Sequence, residues 1–393
     1  MAEAFSSCHT RHAVILAAGE STRTRPLTLH RPKPLIPLLG QPLLAHILDE
    51  LVGLVERVTL VVGYRAEQIT AAFGSSYCGI ALRYVRQEQV NGTAGALLAA
   101  GPIDEPFLLL YGDNLVARED VLGVCASQYG VAGLPVPDAR PFGVLDVAEG
   151  LVRGIIEKPP APPPGALANP GIYHFDGAVF PLLAQIRPSP RGELELTDLI
   201  AALADMAPVR PHVCTGFWVP VGTPWEALGA AQFLLARQAL RPAHVDPTAT
   251  VDPTATLTGV VGMGAGARVG PRARVVGPVL LGAGCVVGEG ALVAGSVLEE
   301  GAAVGARAEV LGSVLGAGAV VGVGARVAAS WLDDGAEVGA GAWLPPHLAP
   351  DARISAEVRG LLTPEQLATR GAVLARGARV AAGARVEPGR VVS

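Results

Sequence analysis

The chain has 393 residues, enough for two or three domains with cores of their own, and half of them are apolar while 17% are charged. A net charge of −5 draws neither nucleic acid nor an anionic membrane surface, and no apolar run approaches the roughly 18 residues of a spanning helix. The five cysteines are odd in number and far apart, with no C-x-x-C pair, which argues against a disulfide framework or zinc site and points to a reducing cytoplasm.

Residues 1–12 lack an apolar segment and read as a short floppy leader rather than a signal peptide. From there to about residue 240 strand and helix signals alternate. Residues 13–18 (AVILAA) form a short apolar run ending at Gly19, which predicts a buried strand. Leu43, Leu44, Ile47, Leu48, Leu51 and Leu54 recur at helical spacing. Residues 58–62 are again a bare apolar strand, 82–85 alternate, 93–100 read as helix and 107–111 as strand. Strands separated by helices predict parallel β-α-β units in a doubly wound, Rossmann-like α/β sheet. Ligands of such sheets bind beyond the carboxyl ends of the strands, so the loops after Ala18 and Tyr111 are the expected place of chemistry. Thr223-Pro224-Trp225-Glu226 predicts a capping box with proline at the first helical position, opening a helix that runs to about Arg237.

From about Val245 the period changes. Large aliphatic residues recur every six positions at Val245, Val251, Leu257, Met263, Val269, Val275, Leu281, Val287 and Val293. The beat then drops one residue per three hexads: Leu298, Leu315 and Leu332 are 17 apart, as are Val304, Val321 and Val338, and Val310, Val327 and Leu344. A small residue follows most of them, as in Val269-Gly270 and Leu281-Gly282. One inward aliphatic per flat side and a small residue at each corner is the signature of a β-solenoid, and it explains the 49 glycines without disorder. An interruption at 345–373 contains a predicted short helix capped by Thr363-Pro364-Glu365, after which Leu374, Val380 and Val386 resume the beat. The expected organisation is therefore a first domain over 1–240 and a solenoid over 241–393.

The chain uses 28 arginines and only two lysines, Lys33 and Lys158. A lysine retained in such a background marks a place where a compact point charge is required. Lys33 lies in Pro32-Lys33-Pro34-Leu35, just after the turn Gly19-Glu20-Ser21-Thr22-Arg23-Thr24-Arg25-Pro26-Leu27-Thr28. A small-residue turn after a strand offers backbone N–H groups to phosphate, Arg23 adds a fork and Lys33 a point charge. No G-K-[ST] is present, so the turn is not a P-loop.

With its flanks, L-A-A-G-x-x-T-R-x-x-P-L-T followed by P-K-P-L resembles the signature of the sugar-1-phosphate nucleotidylyltransferases, and the resemblance continues in order along the chain. Gln87-Glu88-Gln89-Val90-Asn91-Gly92-Thr93-Ala94 resembles the family's base-reading segment, and Tyr111-Gly112-Asp113-Asn114 its metal-binding strand end. Gly143, Glu157-Lys158-Pro159 and Asn169-Pro170-Gly171-Ile172-Tyr173 resemble its sugar and sugar-phosphate contacts. Glu193-Leu194-Glu195-Leu196-Thr197-Asp198 resembles a further family element, and residues 218–224 the closing motif. The tail is similar to that of the long members, which carry a hexapeptide-repeat left-handed β-helix behind the catalytic domain.

The resemblance implies transfer of a nucleotidyl group from a nucleoside triphosphate to a sugar 1-phosphate with release of pyrophosphate. It implies a nucleotide site at Leu16, Ala17, Ala18, Gly19, Arg23, Lys33, Gln87, Gly92 and Thr93, and a sugar-phosphate site at Gly143, Glu157, Lys158 and Asn169. Arg23, Lys33, Asp113 and Lys158 are the implied catalytic residues, with Asp113 holding Mg²⁺. In-line attack of the sugar phosphate on the α-phosphorus needs positioning and charge neutralisation and no protein nucleophile. Mg²⁺ bridging phosphates is held by one or two carboxylates.

Two positions depart from the pattern. Ser21 stands where the family has a second glycine. Pro220 stands where it usually has Asp or Asn as second metal ligand, which leaves three readings: Asp113 suffices with phosphates and water, Asp198 substitutes, or catalysis is impaired. Gln87 favours a pyrimidine nucleotide, dTTP or UTP, with glucose 1-phosphate the default acceptor. Gly92-Thr93-Ala94-Gly95-Ala96 and the tail also resemble the mannose-1-phosphate guanylyltransferases. Some relatives use the β-helix as an amino-sugar acetyltransferase, yet this tail offers only His244 and His347, no lysine and no Asn-x-x-His-Asp segment. The tail therefore reads as a module for homo-oligomerisation and stability. A reading of another class, a non-catalytic nucleotide-sugar-binding regulator, rests on Pro220 alone.

Overall fold

The computed structural model describes residues 10–348 and 369–393. Strand β1 (His12–Ala17) is followed by a small hairpin, β2 (Pro37–Leu38) and β3 (Gln41–Pro42), and by helix α1 (Leu43–Leu51). The alternation continues through β4 (Arg57–Val62), α2 (Ala66–Phe73), β5 (Ser76–Tyr77), β6 (Ile80–Arg86), α3 (Thr93–Ala99) and β7 (Phe107–Tyr111). Strands β7, β1, β4 and β6 lie side by side and parallel. β7, β1 and β4 are mostly apolar because both faces are covered: Ala13 and Ile15 face one core with α1, and Val14 faces the other with α3, whereas β6, nearer the sheet edge, alternates and exposes Ala81 and Arg83. The chain moves from β1 outward to β4 and β6, then returns to β7 on the other side of β1. The strand order thus reverses between β1 and β7, where a crevice opens at the carboxyl ends.

Beyond β7 the sheet departs from the parallel expectation. β8 (Asn114–Val116) and α4 (Arg118–Val124) lead to β9 (Gly130–Pro135), the hairpin β10 (Gly143–Ala148) and β11 (Leu151–Glu157), then β12 (Leu167–Ala168) and β13 (Ile172–Phe175). β13 inserts antiparallel between β7 and β9, and β12, β10 and β11 extend the sheet antiparallel. Glu149 and Gly150, both at positive φ, form the two-residue turn that sends β10 straight back as β11, leaving no room for a crossover helix. The sheet is therefore mixed, a parallel half joined to an antiparallel half.

Helices α5 (Val179–Leu183) and α6 (Leu196–Ala204), strands β14 (Arg210–Val213) and β15 (Trp218–Pro220), and helix α7 (Pro224–Gln238) complete this half. Thr223 caps α7 as expected, its Oγ1 accepting the Glu226 N–H at 3.2 Å. The reciprocal arm is displaced by one residue: the Glu226 carboxylate accepts the Gly222 N–H at 2.8 Å, not that of the cap itself. At the other end of the chain the expected leader is too long. Thr10 and His12 are buried, the Thr10 hydroxyl donating to His174 at 2.7 Å, and His12 already belongs to β1.

The tail winds into three parallel sheets of two- and three-residue strands, a left-handed β-helix. Successive coils pair at 18 residues (Val261 with Val279) and then at 17 (Val297 with Val314), the drop read from the sequence. Leu281, Val287, Val293, Leu298, Leu315 and Leu332 point inward and are fully buried. Val245 and Val251, on the first coil, are more than a third exposed because that end of the stack is open. Gly282 is required at its corner, where a Cβ would lie 2.9 Å from the Glu299–Glu300 backbone of the next coil. Leu374 and Val380 rejoin the core after the interruption, while the helix expected at Thr363-Pro364-Glu365 lies outside the described residues. Val297, Val314, Trp331 and Val373 on one outer face pack into the same core as α7, so the two halves share an apolar seam. No helix among the described residues is long and apolar enough to cross a membrane.

Three stacked serines line one corner of the solenoid. Ser296, Ser313 and Ser330 are fully buried, and each hydroxyl donates to the carbonyl two residues back at 2.8 Å. Each also accepts a backbone N–H from the next coil, at 3.1, 3.1 and 3.0 Å. Ser313→Ala leaves the buried Ser330 N–H without its acceptor, while the Leu311 carbonyl keeps the Ala329 N–H at 2.9 Å, and should lower solenoid stability by about 1–3 kcal/mol in equilibrium urea unfolding.

Candidate active site

The crevice between β1 and β7 is built first by backbone contacts. The Gly112 N–H donates to Leu16 O at 2.9 Å, Tyr64 N–H to Ala18 O at 3.3 Å and Gln87 N–H to Val62 O at 2.8 Å. A Cβ on Gly112 would sit 2.8 Å from Leu16 O, so only glycine lets the two strand ends close this tightly. Leu16, Ala17, Ala18 and Gly19 thus lie at the strand end where the sequence places them. Ser21 adopts the left-handed φ of 55° that a second glycine would take freely, and its carbonyl accepts the Thr28 hydroxyl at 2.9 Å. The one-turn helix that follows, Thr22–Thr24, presents Arg23 to solvent. Buried Thr24 donates to Gly222 O at 3.0 Å and ties this turn to the closing segment before α7.

Lys33 and Asp113, 80 residues apart in sequence, meet here: Nζ donates to Asp113 Oδ2 at 2.9 Å. The Lys33 side chain is 7% exposed and that of Asp113 41%. An ammonium so far removed from water requires a counter-charge, and a carboxylate at the end of β7 supplies it. Strand β15 pairs antiparallel with β8, which sets Pro220 opposite Asn114, and the Val221 N–H donates to Asp113 O at 3.0 Å. Position 220 therefore lies beside Asp113, where a second ligand would be useful, and proline supplies none. Asp198 lies on the first turn of α6, its carboxyl raised by partial desolvation and by Glu195. Among the described residues no group of three or more His, Cys, Asp or Glu could hold a metal ion. The donor set fits a hard cation that takes one protein carboxylate, Asp113, and completes its shell with phosphate oxygens and water.

Gln87 is buried, and its Nε2 donates to Asn91 Oδ1 at 3.0 Å and to Gly92 O at 3.2 Å. The amide is thereby oriented with its carbonyl oxygen away from the loop. Gly92 has φ 107° and lies so close to the 193–198 segment that a Cβ would meet Leu194 O at 2.4 Å. Leu194 N–H donates to Asn91 O at 2.7 Å, and its carbonyl accepts the Ala94 N–H at 2.9 Å. The Thr93 hydroxyl is occupied as acceptor of the Leu196 N–H at 3.1 Å. The 193–198 segment is thus a brace for the loop 91–94.

On the antiparallel side, Gly143 pairs with Glu157, and the Asn169 N–H donates to Gly143 O at 2.8 Å. Lys158 has a left-handed φ of 48° and its ammonium lies 3.5 Å from the Glu157 carboxylate, which also receives Arg191 at 3.7 Å. Asn169 Nδ2 donates to the Tyr173 hydroxyl at 2.7 Å, which lies 3.2 Å from that of Tyr111. Gly171, whose N–H donates to Asn169 Oδ1 at 3.1 Å, accepts the Tyr111 N–H at 3.1 Å and packs on the Tyr111 ring. These contacts link Asn169 and Gly143, expected from the sequence on the sugar side, to the strand end that carries Asp113. Burial pushes Tyr173 up to about 12 and Tyr111 well above its ordinary value, so both stay protonated donors. Tyr111 and Tyr173 lie within motifs read from the sequence but have no role of their own there, and Arg191 lies outside those motifs. An aromatic at the end of an apolar strand is a signal for the first, and Arg191 has none.

Residues 12–237 match the family model for nucleotidyl transferases. The chain is 36% identical over 226 residues to the bifunctional protein GlmU of Methanocaldococcus jannaschii, a match covering 57% of this chain and 54% of that protein, about half its length. It is 36% identical over 201 residues to the UTP–glucose-1-phosphate uridylyltransferase AglF of Haloferax volcanii, covering 49% of this chain and 82% of that one. A crystal structure of UDP-glucose pyrophosphorylase complexed with UDP-glucose aligns with a TM-score of 0.51 at 23% identity, over 58% of this chain and 99% of that one, a likeness of fold.

The loop 91–94 and its brace leave no space at Gly92. Gly92→Ala should therefore destabilise this half by about 1–3 kcal/mol in equilibrium urea unfolding, the strain of one residue held at positive φ against the Leu194 backbone.

Proposed function

Because the chain belongs to the nucleotidyl transferase family, we propose that it transfers a nucleotidyl group from dTTP or UTP to a sugar 1-phosphate, by preference glucose 1-phosphate, releasing pyrophosphate and an NDP-sugar. The observation that carries this reading is the meeting of Lys33 and Asp113 at the crevice where the strand order reverses. The printed activity of AglF, a uridylyltransferase acting on glucose 1-phosphate, points the same way.

Catalysis here is positioning and neutralisation. Lys33 and Arg23 face the triphosphate, and the N–H groups of the 18–25 turn line its path. Lys158 takes the sugar phosphate, with Gly143, Glu157 and Asn169 against the sugar. Asp113 would hold Mg²⁺, which neutralises charge on the departing pyrophosphate. Gln87 supports the base assignment. Its N–H₂ is committed to Asn91 and Gly92, so it presents only an acceptor oxygen. An acceptor suits the ring N–H of uracil or thymine and rejects the bare ring nitrogen of cytosine or adenine. Guanine also carries a ring N–H, which keeps mannose-1-phosphate guanylyl transfer as the second reading. In this proposal residues 1–240 are the cytoplasmic catalytic unit, and 241–393 join copies of the chain. The described tail offers only the exposed His244 and His347 as bases, so no acyl transfer is assigned to it.

A pyrophosphate-release assay with Mg²⁺ should be run with dTTP, UTP, GTP, CTP and ATP against glucose, mannose and N-acetylglucosamine 1-phosphates. Release is expected with dTTP or UTP and glucose 1-phosphate; silence across the grid from folded, nucleotide-binding protein would favour the regulator. Lys33→Arg should lower kcat at least about tenfold despite the retained charge, because the guanidinium does not fit the buried place of the ammonium. Asp113→Ala should remove turnover together with its Mg²⁺ dependence, and retained turnover would take Asp113 out of the metal site.

A further inference from the structure

We propose that the β-helix is part of the active-site frame: Glu299, Asp333 and Asp334 of the solenoid fix the segment that carries Lys33, and Arg31 is a positioning residue for the reaction. The proposal rests on the placement of Lys33 against the nucleotide phosphates made above.

Lys33 sits on a single 3₁₀ turn, Lys33–Leu35, which has little stiffness of its own. The segment is tied to the solenoid on both sides of that turn. On one side Arg31 Nη2 donates to Asp333 Oδ1 at 2.9 Å and to Asp334 Oδ2 at 2.6 Å. On the other, the Gly40 N–H at the tip of the β2–β3 hairpin donates to Glu299 Oε1 at 3.0 Å. The face of the segment away from the solenoid is held by α2 and the turn before it. There Tyr64 donates to Thr28 O and Leu29 O, Arg65 to Leu29 O and Gln68 to His30 O. Lys33 therefore reaches Asp113 from a strand of chain clamped between the two halves of the molecule.

The ties are withdrawn from water, with the Arg31 side chain 13% exposed and that of Asp333 4%. Burial pushes the carboxyls of Asp333 and Glu299 upward, a cost that adhesion alone does not require. The adjoining seam of Val297, Val314, Trp331 and Val373 already supplies adhesion by apolar contact. What a buried guanidinium between two carboxylates adds is a fixed position. The solenoid corner is shaped for it. Glu299 and Asp333 follow equivalent positions of coils two apart, and the coil between them has Gly316 there. A Cβ on Gly316 would lie 3.0 Å from Asp334 Oδ1, which the Ala317 N–H holds at 3.2 Å.

The test is the full chain carrying Asp333→Asn and Asp334→Asn, which keep size and lose charge. Expected are a melting temperature within a few degrees of wild type, kcat lowered about tenfold or more, and a raised KM for the nucleotide with the KM for the sugar phosphate unchanged. Amide hydrogen exchange over 31–40 should quicken, and Arg31→Lys should retain more activity than Arg31→Met. If the double variant does not fold, Asp334→Asn alone carries the same readouts. Wild-type kcat, nucleotide KM and exchange over 31–40 in a folded variant would overturn the proposal. Should the wild-type chain release no pyrophosphate with any pair, the transferase reading falls, while exchange over 31–40 still decides whether the solenoid fixes the segment.

Discussion

A lysine ammonium almost stripped of water constrains the crevice more than any other group. Lys33 is 6% exposed, and an uncompensated charge there would cost several kcal/mol. Its partner, Asp113, can reach it only because β7 lies beside β1, so the reversal of strand order is a condition of the ion pair. The pair in turn sets a tolerance on the 3₁₀ turn that bears Lys33. Prolines on both sides limit the backbone there to few conformations. Tight glycine contacts close the end of β7 on that of β1 at Gly112, and the loop 91–94 on its brace at Gly92.

The two halves are joined by two kinds of contact with different physics. The apolar seam between α7 and one solenoid face is non-directional and tolerates small shifts. The contacts of Arg31 with Asp333 and Asp334, and of Gly40 with Glu299, are directional. A repeat protein suits the second purpose because its coils are locked to one another in register, here by paired strands and the serine ladder. A rigid rod laid along the first half can thus hold a short loop that has no regular structure to hold itself.

What was legible in the sequence was whatever depended on local pattern. The apolar runs at 13–18, 58–62 and 107–111 match β1, β4 and β7 to within one residue, and the six-residue beat matched the inward positions of the solenoid. The scarcity of lysine pointed to Lys33 before any contact was known, though Lys158 is half exposed and, among the described residues, its ammonium pairs with its neighbour Glu157 alone. The antiparallel half was not legible, because β13 pairing between β7 and β9 is a choice among distant partners that no local period encodes. The same holds for Arg31, whose carboxylates lie 302 and 303 residues away. The brace at 193–198 was visible as a motif but not as a contact, since its role is carried by backbone groups that every residue has.

Proline at 220 shows how backbone and side-chain roles separate. Its place in the ladder opposite Asn114 survives, because it ends β15 and the next N–H, that of Val221, makes the bond to Asp113 O. The strand that sets position 220 beside Asp113 is therefore intact while the side chain contributes no oxygen. The charge balance changes accordingly. With one carboxylate, Lys33 and Asp113 neutralise each other, whereas a second acid would leave the crevice negative before any phosphate arrived. Arg23, exposed on its turn, then biases the mouth of the crevice toward anions. A one-carboxylate site of this kind would bind a hard cation weakly by itself and better when phosphate oxygens came with it, since each anionic ligand adds to the Coulomb energy that offsets dehydration of the ion.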